Sequence, residues 1–163
     1  MPAYDLSDAD LLAACTVAAM RSSGPGGQHA NRTASAVRLV HGATGATAQC
    51  QDHRERGRNQ AEALRRLRIR LAATERGGAD PAWLVPHRRG GRLHLGPGAQ
   101  DYPRVAAALL DSLAAASGSL AAAAEACAIS TTNCAATLAA DPDIRAAADL
   151  LRAAHGLGPL RVR

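Results

Sequence analysis

The scarcity of aromatic residues is the feature that most limits the folds open to this chain. Its 163 residues contain no Phe, one Trp and two Tyr. A hydrophobic core must therefore be built from Leu, Val, Ile and abundant Ala, which buries little volume per residue and requires close packing. The length allows one domain of ordinary size or two small ones, and we predict two.

The sequence pattern of the first part of the chain predicts a helix followed by antiparallel strands. Residues 8–14 are expected to form a short helix, and residues 15–22 a strand. Residues 34–40 alternate between the two faces of a strand, and the glycines of residues 42–45 can turn the chain into a second strand that ends near Gln51. This pattern predicts a small sheet with a hairpin.

From Arg56 to Arg76 the pattern changes to helical spacing. Leu64, Leu67 and Leu71 share one face, with Gln60 as a polar exception on it. The opposite side carries Arg58, Arg65, Arg66, Arg70 and Arg76. Such a helix can pack on a small sheet and present positive charge to RNA; for each single arginine, a merely solvated position is an equal alternative.

The rest of the chain predicts helices. After Gly77-Gly78, residues 79–103 form a Pro/Gly-rich connector, and residues 104–116 an Ala/Leu helix. Residues 120–138 have the spacing of a helix-turn-helix, with Ser130 capping its second helix. That second helix contains no Arg, so we expect it to serve packing or protein contact, and DNA is not the expected partner.

Together these patterns predict an α+β protein. Residues 1–78 would form a small β-sheet with a packed helix, residues 79–103 the connector, and residues 104–163 an all-α, Ala-rich, helix-turn-helix-like module. The charge is divided in the same way: residues 21–92 hold 14 Arg against five acids, and residues 101–163 hold five Arg against six acids. A basic first domain favours phosphate binding there.

The cysteines and the N-terminus exclude several classes of protein. Cys15, Cys50, Cys127 and Cys134 form no Cys-x-x-Cys pair, so we predict buried, reduced thiols and neither a metal site nor a disulfide framework. No cofactor is predicted. No apolar run approaches the roughly eighteen residues of a membrane helix, and the N-terminus is acidic where a targeting peptide would be basic. We expect a cytoplasmic protein without a membrane partner.

A glycine-rich loop precedes the predicted hairpin. Residues 21–36 read Arg-Ser-Ser-Gly-Pro-Gly-Gly-Gln-His-Ala-Asn-Arg-Thr-Ala-Ser-Ala. Paired glycines let the backbone take positive φ and approach a ligand closely. The amide of Gln28 can donate to one group and accept from another, and its backbone N–H can point at a developing oxyanion. Taken alone, the glycines are also typical of an ordinary surface turn.

The residues after this loop carry a specific resemblance. In order they are Ser35-Ala-Val-Arg-Leu-Val-His41, Thr44-Gly45, Ala48-Gln49-Cys50-Gln51, Arg54, Asn59 and Ala63-Leu64-Arg65-Arg66-Leu67. With the Gly-Gly-Gln loop, the series resembles the catalytic domain of class I peptide chain release factors and of codon-independent ribosome-rescue hydrolases. The resemblance covers roughly residues 14–76. It departs from the family at Arg54-Glu55-Arg56, where the family usually has Arg-Ser-Gln.

The resemblance implies a site, a reaction and partners. It implies that Gly26, Gly27 and Gln28 are catalytic, and that Gln28 enters the peptidyl-transferase centre to promote hydrolysis of the peptidyl-tRNA ester. The expected RNA-contacting residues are Arg21, Ser23, His29, Asn31, Arg32, Arg54, Arg58, Arg65 and Arg66. Neither His29 nor His41 is expected to act as a general base. The implied partners are peptidyl-tRNA and the ribosome, through its peptidyl-transferase centre rRNA.

Three functions stay open at this level. No segment resembles the codon-recognition domain of release factors, so we expect peptidyl-tRNA hydrolysis without stop-codon reading, in termination or in rescue of stalled ribosomes. The second reading is a ribosome- or RNA-binding protein without catalysis. The third is a DNA-binding regulator that uses the helix-turn-helix-like module.

Overall fold

The computed structural model of the protein describes residues 1–20 and 35–162. The chain divides into two compact units, one of Ala3–Arg70 and one of Met1–Pro2 with Leu71–Arg163. The division falls within a single helix, Arg56–Thr74. Mixed helices and a small sheet agree with the predicted α+β class.

The first unit contains a short helix and a three-stranded antiparallel sheet in the order β1-β2-β3. Ser7 caps the helix by accepting a hydrogen bond from the backbone N–H of Asp10 at 3.1 Å. The elements are α1 (Asp8–Ala13), β1 (Cys15–Met20), β2 (Ala36–His41) and β3 (Thr47–Cys50). The helix and hairpin predicted from the sequence are confirmed.

One face of the sheet is buried where β2 pairs with β3. Val37 is paired with Cys50 and Leu39 with Ala48, and all four residues are buried. Arg38, between Val37 and Leu39, is exposed. Over residues 37–39 the alternation read in the sequence therefore separates a core face from a solvent face, as the two-residue period of a strand requires, whereas Ala36, expected on the face of Arg38, is also buried.

Helix α2 (Arg56–Thr74) supplies the apolar stripe predicted for it. Leu64, Leu67 and Leu71 are all buried. The expected polar exception, Gln60, is only half-buried, whereas its neighbour Asn59 is completely enclosed, with 0% of its surface exposed. The polar residue on the buried face of α2 is therefore Asn59 and not Gln60. A fully buried amide must have its hydrogen bonds satisfied within the protein.

In the second unit, the Pro/Gly-rich segment contains regular structure. A 3-10 helix over Pro81–His87 precedes a small hairpin of β4 (Arg88–Arg89) and β5 (Arg92–Leu93). Sequence reasoning missed the hairpin because two-residue strands are too short to show an alternating pattern.

Four helices complete this unit: α3 (Tyr102–Ala115), α4 (Leu120–Ala126), α5 (Thr131–Ala139) and α6 (Pro142–Ala153). Helix α3 is buried along most of its length, and α4, α5 and α6 pack against it. The Tyr102 hydroxyl, fully enclosed, donates to the carbonyl of Thr137 at 3.0 Å. With Tyr4 buried in the first unit, both tyrosines fill the small cores of an otherwise aliphatic protein.

Helices α4 and α5 lie where the sequence predicts a helix pair. Ser130 caps α5 by accepting from the backbone N–H of Asn133 at 3.2 Å. Ala128, in the intervening turn, has a left-handed φ of 52°. A pair of helices with a tight turn does not by itself confirm the predicted helix-turn-helix likeness, which stays a prediction.

All four cysteines are free. Cys50, Cys127 and Cys134 are buried, as predicted, whereas Cys15 is only half-buried. Burial raises the pKa of Cys134 to about 12, so this thiol is neutral and serves as a small apolar group. Among the described residues no helix has the length and apolar character needed to span a membrane.

Candidate functional site

Strands β1 and β2 hold the two ends of the glycine-rich segment. Met20, the last residue of β1, is the paired partner of Ala36, the first residue of β2. The segment between them therefore begins and ends at the same end of the β1–β2 strand pair. Its predicted site residues lie outside the described part of the chain: Arg21, Ser23, Gly26, Gly27, Gln28, His29, Asn31 and Arg32.

A buried amide cluster lies where this segment rejoins the sheet. The Asn59 Nδ2 donates to the carbonyl oxygens of Ser35 at 2.8 Å and His53 at 2.7 Å. Its Oδ1 accepts from the backbone N–H of His53 at 2.9 Å and from the Cys50 thiol at 3.3 Å. The amide thus uses both donor hydrogens and both acceptor positions within the protein.

Asn59 therefore ties three separate parts of its unit to the start of α2. They are the backbone of Ser35 at the end of the glycine-rich segment, the Cys50 side chain at the end of β3, and the backbone of His53 in the bend of residues 51–55. Burial raises the pKa of the Cys50 thiol, which keeps it a hydrogen-bond donor to Asn59. Sequence reasoning included Asn59 in the family resemblance but assigned it no role; an amide on the apolar side of a helix was the available signal.

The predicted RNA-contacting arginines of α2 are bound to acids of their own unit. The Arg65 guanidinium donates to both carboxylate oxygens of Glu62, at 2.9 and 2.7 Å. Arg66 donates to Glu62 at 3.0 Å, to Asp52 at 2.6 Å and to the carbonyl of Gln49 at 2.9 Å. Arg65 first, and then Arg66, hold the pKa of Glu62 down to about 2.

The other two predicted arginines are more exposed. Arg58 forms an ion pair of 3.0 Å with Glu55, the residue at which the chain departs from the family pattern. Both side chains are about two-thirds exposed, so this pair contributes little to stability. Arg54 is exposed and has no side-chain hydrogen bond or ion pair to any part of the chain that the structure describes. Its guanidinium is available to a phosphate.

The remaining histidine candidate has a structural role. His41 is buried, and its Nδ1 lies 2.9 Å from the Thr44 hydroxyl in the turn between β2 and β3. This contact agrees with the expectation that His41 is not a general base. Within residues 1–20 and 35–162, no group of His, Cys, Asp and Glu side chains is arranged to hold a metal ion.

In the second unit, the small hairpin occupies the N-terminal end of α5. The Asn133 amide accepts from the backbone N–H of Leu93 at 2.6 Å and donates to its carbonyl at 3.2 Å. The backbone N–H of Ser130 donates to the carbonyl of Gly91 at 2.8 Å. A helix that reads DNA contacts bases through its N-terminal residues. Here those groups are engaged within the protein, which argues against the DNA-binding alternative.

Comparison with known proteins identifies a domain in the first part of the chain. Residues 10–82 match the RF-1 domain family. Peptide chain release factor 1 of Delftia acidovorans is 49% identical over 74 residues, which are 45% of this chain and 19% of that protein. The factor 1 of Rhodospirillum rubrum is 50% identical over 62 residues, 38% of this chain and 18% of the relative.

A second type of release factor also matches. Peptide chain release factor 2 of Sulfurimonas denitrificans is 51% identical over 55 residues, which are 34% of this chain and 15% of the relative. The chain thus spans less than a fifth of the length of these curated relatives. Over residues 10–82 the chain is thus similar to class I release factors, as the sequence motifs predict.

Proposed function

We propose that this chain catalyses ribosome-dependent hydrolysis of the ester bond of peptidyl-tRNA, without reading a stop codon. The observation that carries the proposal is the RF-1 domain match over residues 10–82, within which Gly26-Gly27-Gln28 lies between the paired strands β1 and β2. The relatives whose sequences are about 50% identical over this segment are named peptide chain release factors.

The proposed chemistry needs an oriented water and a stabilised oxyanion. Water attacks the carbonyl carbon of the ester and the bond to the ribose oxygen breaks. One proton of the water goes to the ribose oxygen and the other to solvent, so the products are a peptide carboxylate and a tRNA with a free hydroxyl. Gly26 and Gly27 let the backbone approach the reacting ester, and Gln28 supplies an amide and a backbone N–H. In this proposal Gln28 positions groups and takes no proton, because an amide is not a base.

The amide cluster around Asn59 supports a positioning scheme of this kind. An enzyme that works by orientation needs its reacting group held by a rigid scaffold, since small displacements cost large factors in rate. Ser35, the first described residue after the Gly-Gly-Gln segment, is bound to the fully buried Asn59 at 2.8 Å. The backbone of Ser35 is therefore anchored to the core of its unit.

The proposed contacts with RNA come from the basic residues of the same unit. Arg21, Ser23, His29, Asn31 and Arg32 flank Gln28 and would hold the loop against ribosomal RNA. Arg54 and Arg58 expose their guanidinium groups, whereas Arg65 and Arg66 would contact RNA only while sharing their charge with Glu62 and Asp52. The proposal that stop-codon reading is not part of this activity is supported by the given sequence, in which no segment resembles a codon-recognition domain.

The test is single-turnover peptide release from ribosomes that hold peptidyl-tRNA, with and without mRNA in the vacant decoding site. Gln28→Ala should bind ribosomes normally and slow release by on the order of tenfold to a thousandfold, which is the usual cost of removing one positioned donor. Gln100→Ala, an exposed glutamine of the other unit, is the matched control. Binding without release by the native protein would favour the non-catalytic RNA-binding reading, and equal rates for both variants would contradict the role of Gln28.

A further inference from the structure

The hairpin β4-β5 lies outside the RF-1 domain match, in a part of the chain to which the resemblance assigns nothing. Gly90 and Gly91 form its two-residue turn, with φ of +55° and +69°. Positive φ at both positions is the geometry of the tight turn that matches the twist of paired strands, and glycine adopts it without strain. A side chain at either glycine would project into open space.

One side of the hairpin is seated firmly on its own unit. Leu93 is buried and exchanges two backbone hydrogen bonds with the Asn133 amide. On the same strand pair, the Arg88 guanidinium donates to the carbonyl of Cys127 at 3.0 Å. The hairpin is therefore a fixed platform, although its strands have only two residues each.

The other side presents two arginines next to each other. Arg89 and Arg92 are directly paired across the strands, so their side chains project from the same face. Both are exposed, and neither guanidinium has a hydrogen bond or ion pair to the described residues. Like charges in this arrangement repel each other and destabilise a hairpin. An anion bound between them would remove that cost.

The acids nearest to the hairpin in sequence, Asp80 and Asp101, are bound to other groups: Asp80 accepts from the Ala82 backbone N–H, and Asp101 contacts His87 and Arg104. Residues 81–100 include Arg88, Arg89, Arg92 and two histidines but no Asp or Glu. The arginines Arg65 and Arg66 on α2 show the contrast, because each is matched with a carboxylate less than 3.1 Å away. The hairpin face is thus a concentrated positive surface that its own chain leaves uncompensated within the described residues.

We propose that Arg89 and Arg92 together bind the phosphate backbone of RNA, as a contact separate from the RF-1 domain. Two guanidinium groups fixed on one face can hold phosphate oxygens through paired hydrogen bonds. The bare glycine turn leaves room for a nucleic-acid strand to approach closely. The choice of RNA among polyanions rests on the proposed ribosomal function; the existence of an anion site rests on the hairpin alone.

The experiment measures the affinity of the full chain for ribosomes and for a fluorescein-labelled single-stranded RNA over a series of salt concentrations. Arg89→Gln with Arg92→Gln should weaken binding and reduce the slope of log affinity against log salt by roughly 1.4 for the single strand, about 0.7 for each lost phosphate contact. Arg89→Lys with Arg92→Lys should keep the slope but weaken binding, because lysine retains charge without the paired geometry.

A charge-matched control comes from the C-terminal part of the same unit. Arg145→Gln with Arg161→Gln removes the same charge and should leave the salt slope near that of the native protein. The proposal is overturned if the control changes the slope as much as the hairpin variant does. It is also overturned if the hairpin variant binds RNA like the native protein. Parallel titrations with phosphatidylserine vesicles and with duplex DNA test the other polyanions, and a loss of binding to either of these without a loss of RNA binding would overturn the proposal as well.

Peptide release separates this proposal from the proposed function. Native protein that releases peptide, together with a hairpin variant of unchanged RNA affinity, would contradict the hairpin site alone. A native protein that releases no peptide but shows the expected loss of RNA binding in the hairpin variant would contradict the catalytic proposal alone. Thermal unfolding checks the fold: removal of the paired charges should leave the midpoint unchanged or higher, so a lower midpoint would assign these arginines a structural role instead.

Discussion

The side-chain amide of Asn59 donates a hydrogen bond of 2.8 Å to the backbone carbonyl of Ser35, which lies 24 residues earlier in the chain. This bond joins helix α2 to the residue that directly precedes strand β2. The amide is fully enclosed, so its hydrogen bonds are made within the protein.

We expect Asn59→Ala to lower the free energy of unfolding by about 1–3 kcal/mol, because it removes the hydrogen bonds that a fully buried amide makes to the backbone of Ser35 and His53. Chemical denaturation measures the loss. Gln60→Ala is the matched control. Gln60 is the half-buried neighbour of Asn59, and its replacement should change the free energy of unfolding by no more than about 0.5 kcal/mol. Similar losses for both variants would refute the clamp assigned to Asn59.

The lowered pKa of the Glu62 carboxylate predicts that the stability of the protein falls at acid pH. Its pKa is lowered from 4.5 to about 2 by hydrogen bonds from Arg65 and then Arg66. The ionised pair therefore contributes its full stabilisation above pH 4.5 and loses it as the pH falls toward 2. Urea unfolding at a series of pH values should show a shallower acid decline for Glu62→Gln than for the native protein. Glu55→Gln, which removes only the exposed pair with Arg58, should retain the native slope.

Arg54 and Arg66 are predicted to differ in what their loss changes. Arg66→Gln should cost about 1 kcal/mol of stability, because it removes contacts with Glu62, Asp52 and the Gln49 carbonyl at a partly exposed site. Arg54→Gln should leave stability within about 0.5 kcal/mol and reduce the salt slope of ribosome association by about 0.7 to 0.9. Denaturation and ribosome sedimentation measure the two effects. An unaltered slope for Arg54→Gln would mean that this arginine is only solvated.

Asn133 should hold the hairpin against α5. Asn133→Ala removes the two hydrogen bonds to the Leu93 backbone and should cost about 1–3 kcal/mol of stability. Hydrogen exchange at the Leu93 amide should accelerate at the same time. Thr132→Ala, an exposed neighbour on the same helix, should produce neither effect. Normal protection at Leu93 in the Asn133 variant would argue that the hairpin is held by other contacts.

Local periodicity explains the parts of the fold that were predictable. The alternation of Val37, Arg38 and Leu39 and the stripe of Leu64, Leu67 and Leu71 each reflect a repeat within one element. All five apolar residues are buried and Arg38 is exposed, as expected. Caps at Ser7 and Ser130 likewise depend on residues only three positions apart. Such features are encoded within a few residues and do not require knowledge of the tertiary fold.

The sequence by itself determined the α+β class, the helices, the β2-β3 hairpin, and the motif series within residues 10–82, which match the RF-1 domain. Only the tertiary structure decided which polar residues share a site: Asn59 with Ser35, Arg66 with Asp52, and Asn133 with Leu93. These partners are separated by 14 to 40 residues, so no local pattern relates them. Their pairing depends on where whole elements come to rest, because a buried polar group takes whichever partner the packing brings within hydrogen-bond distance.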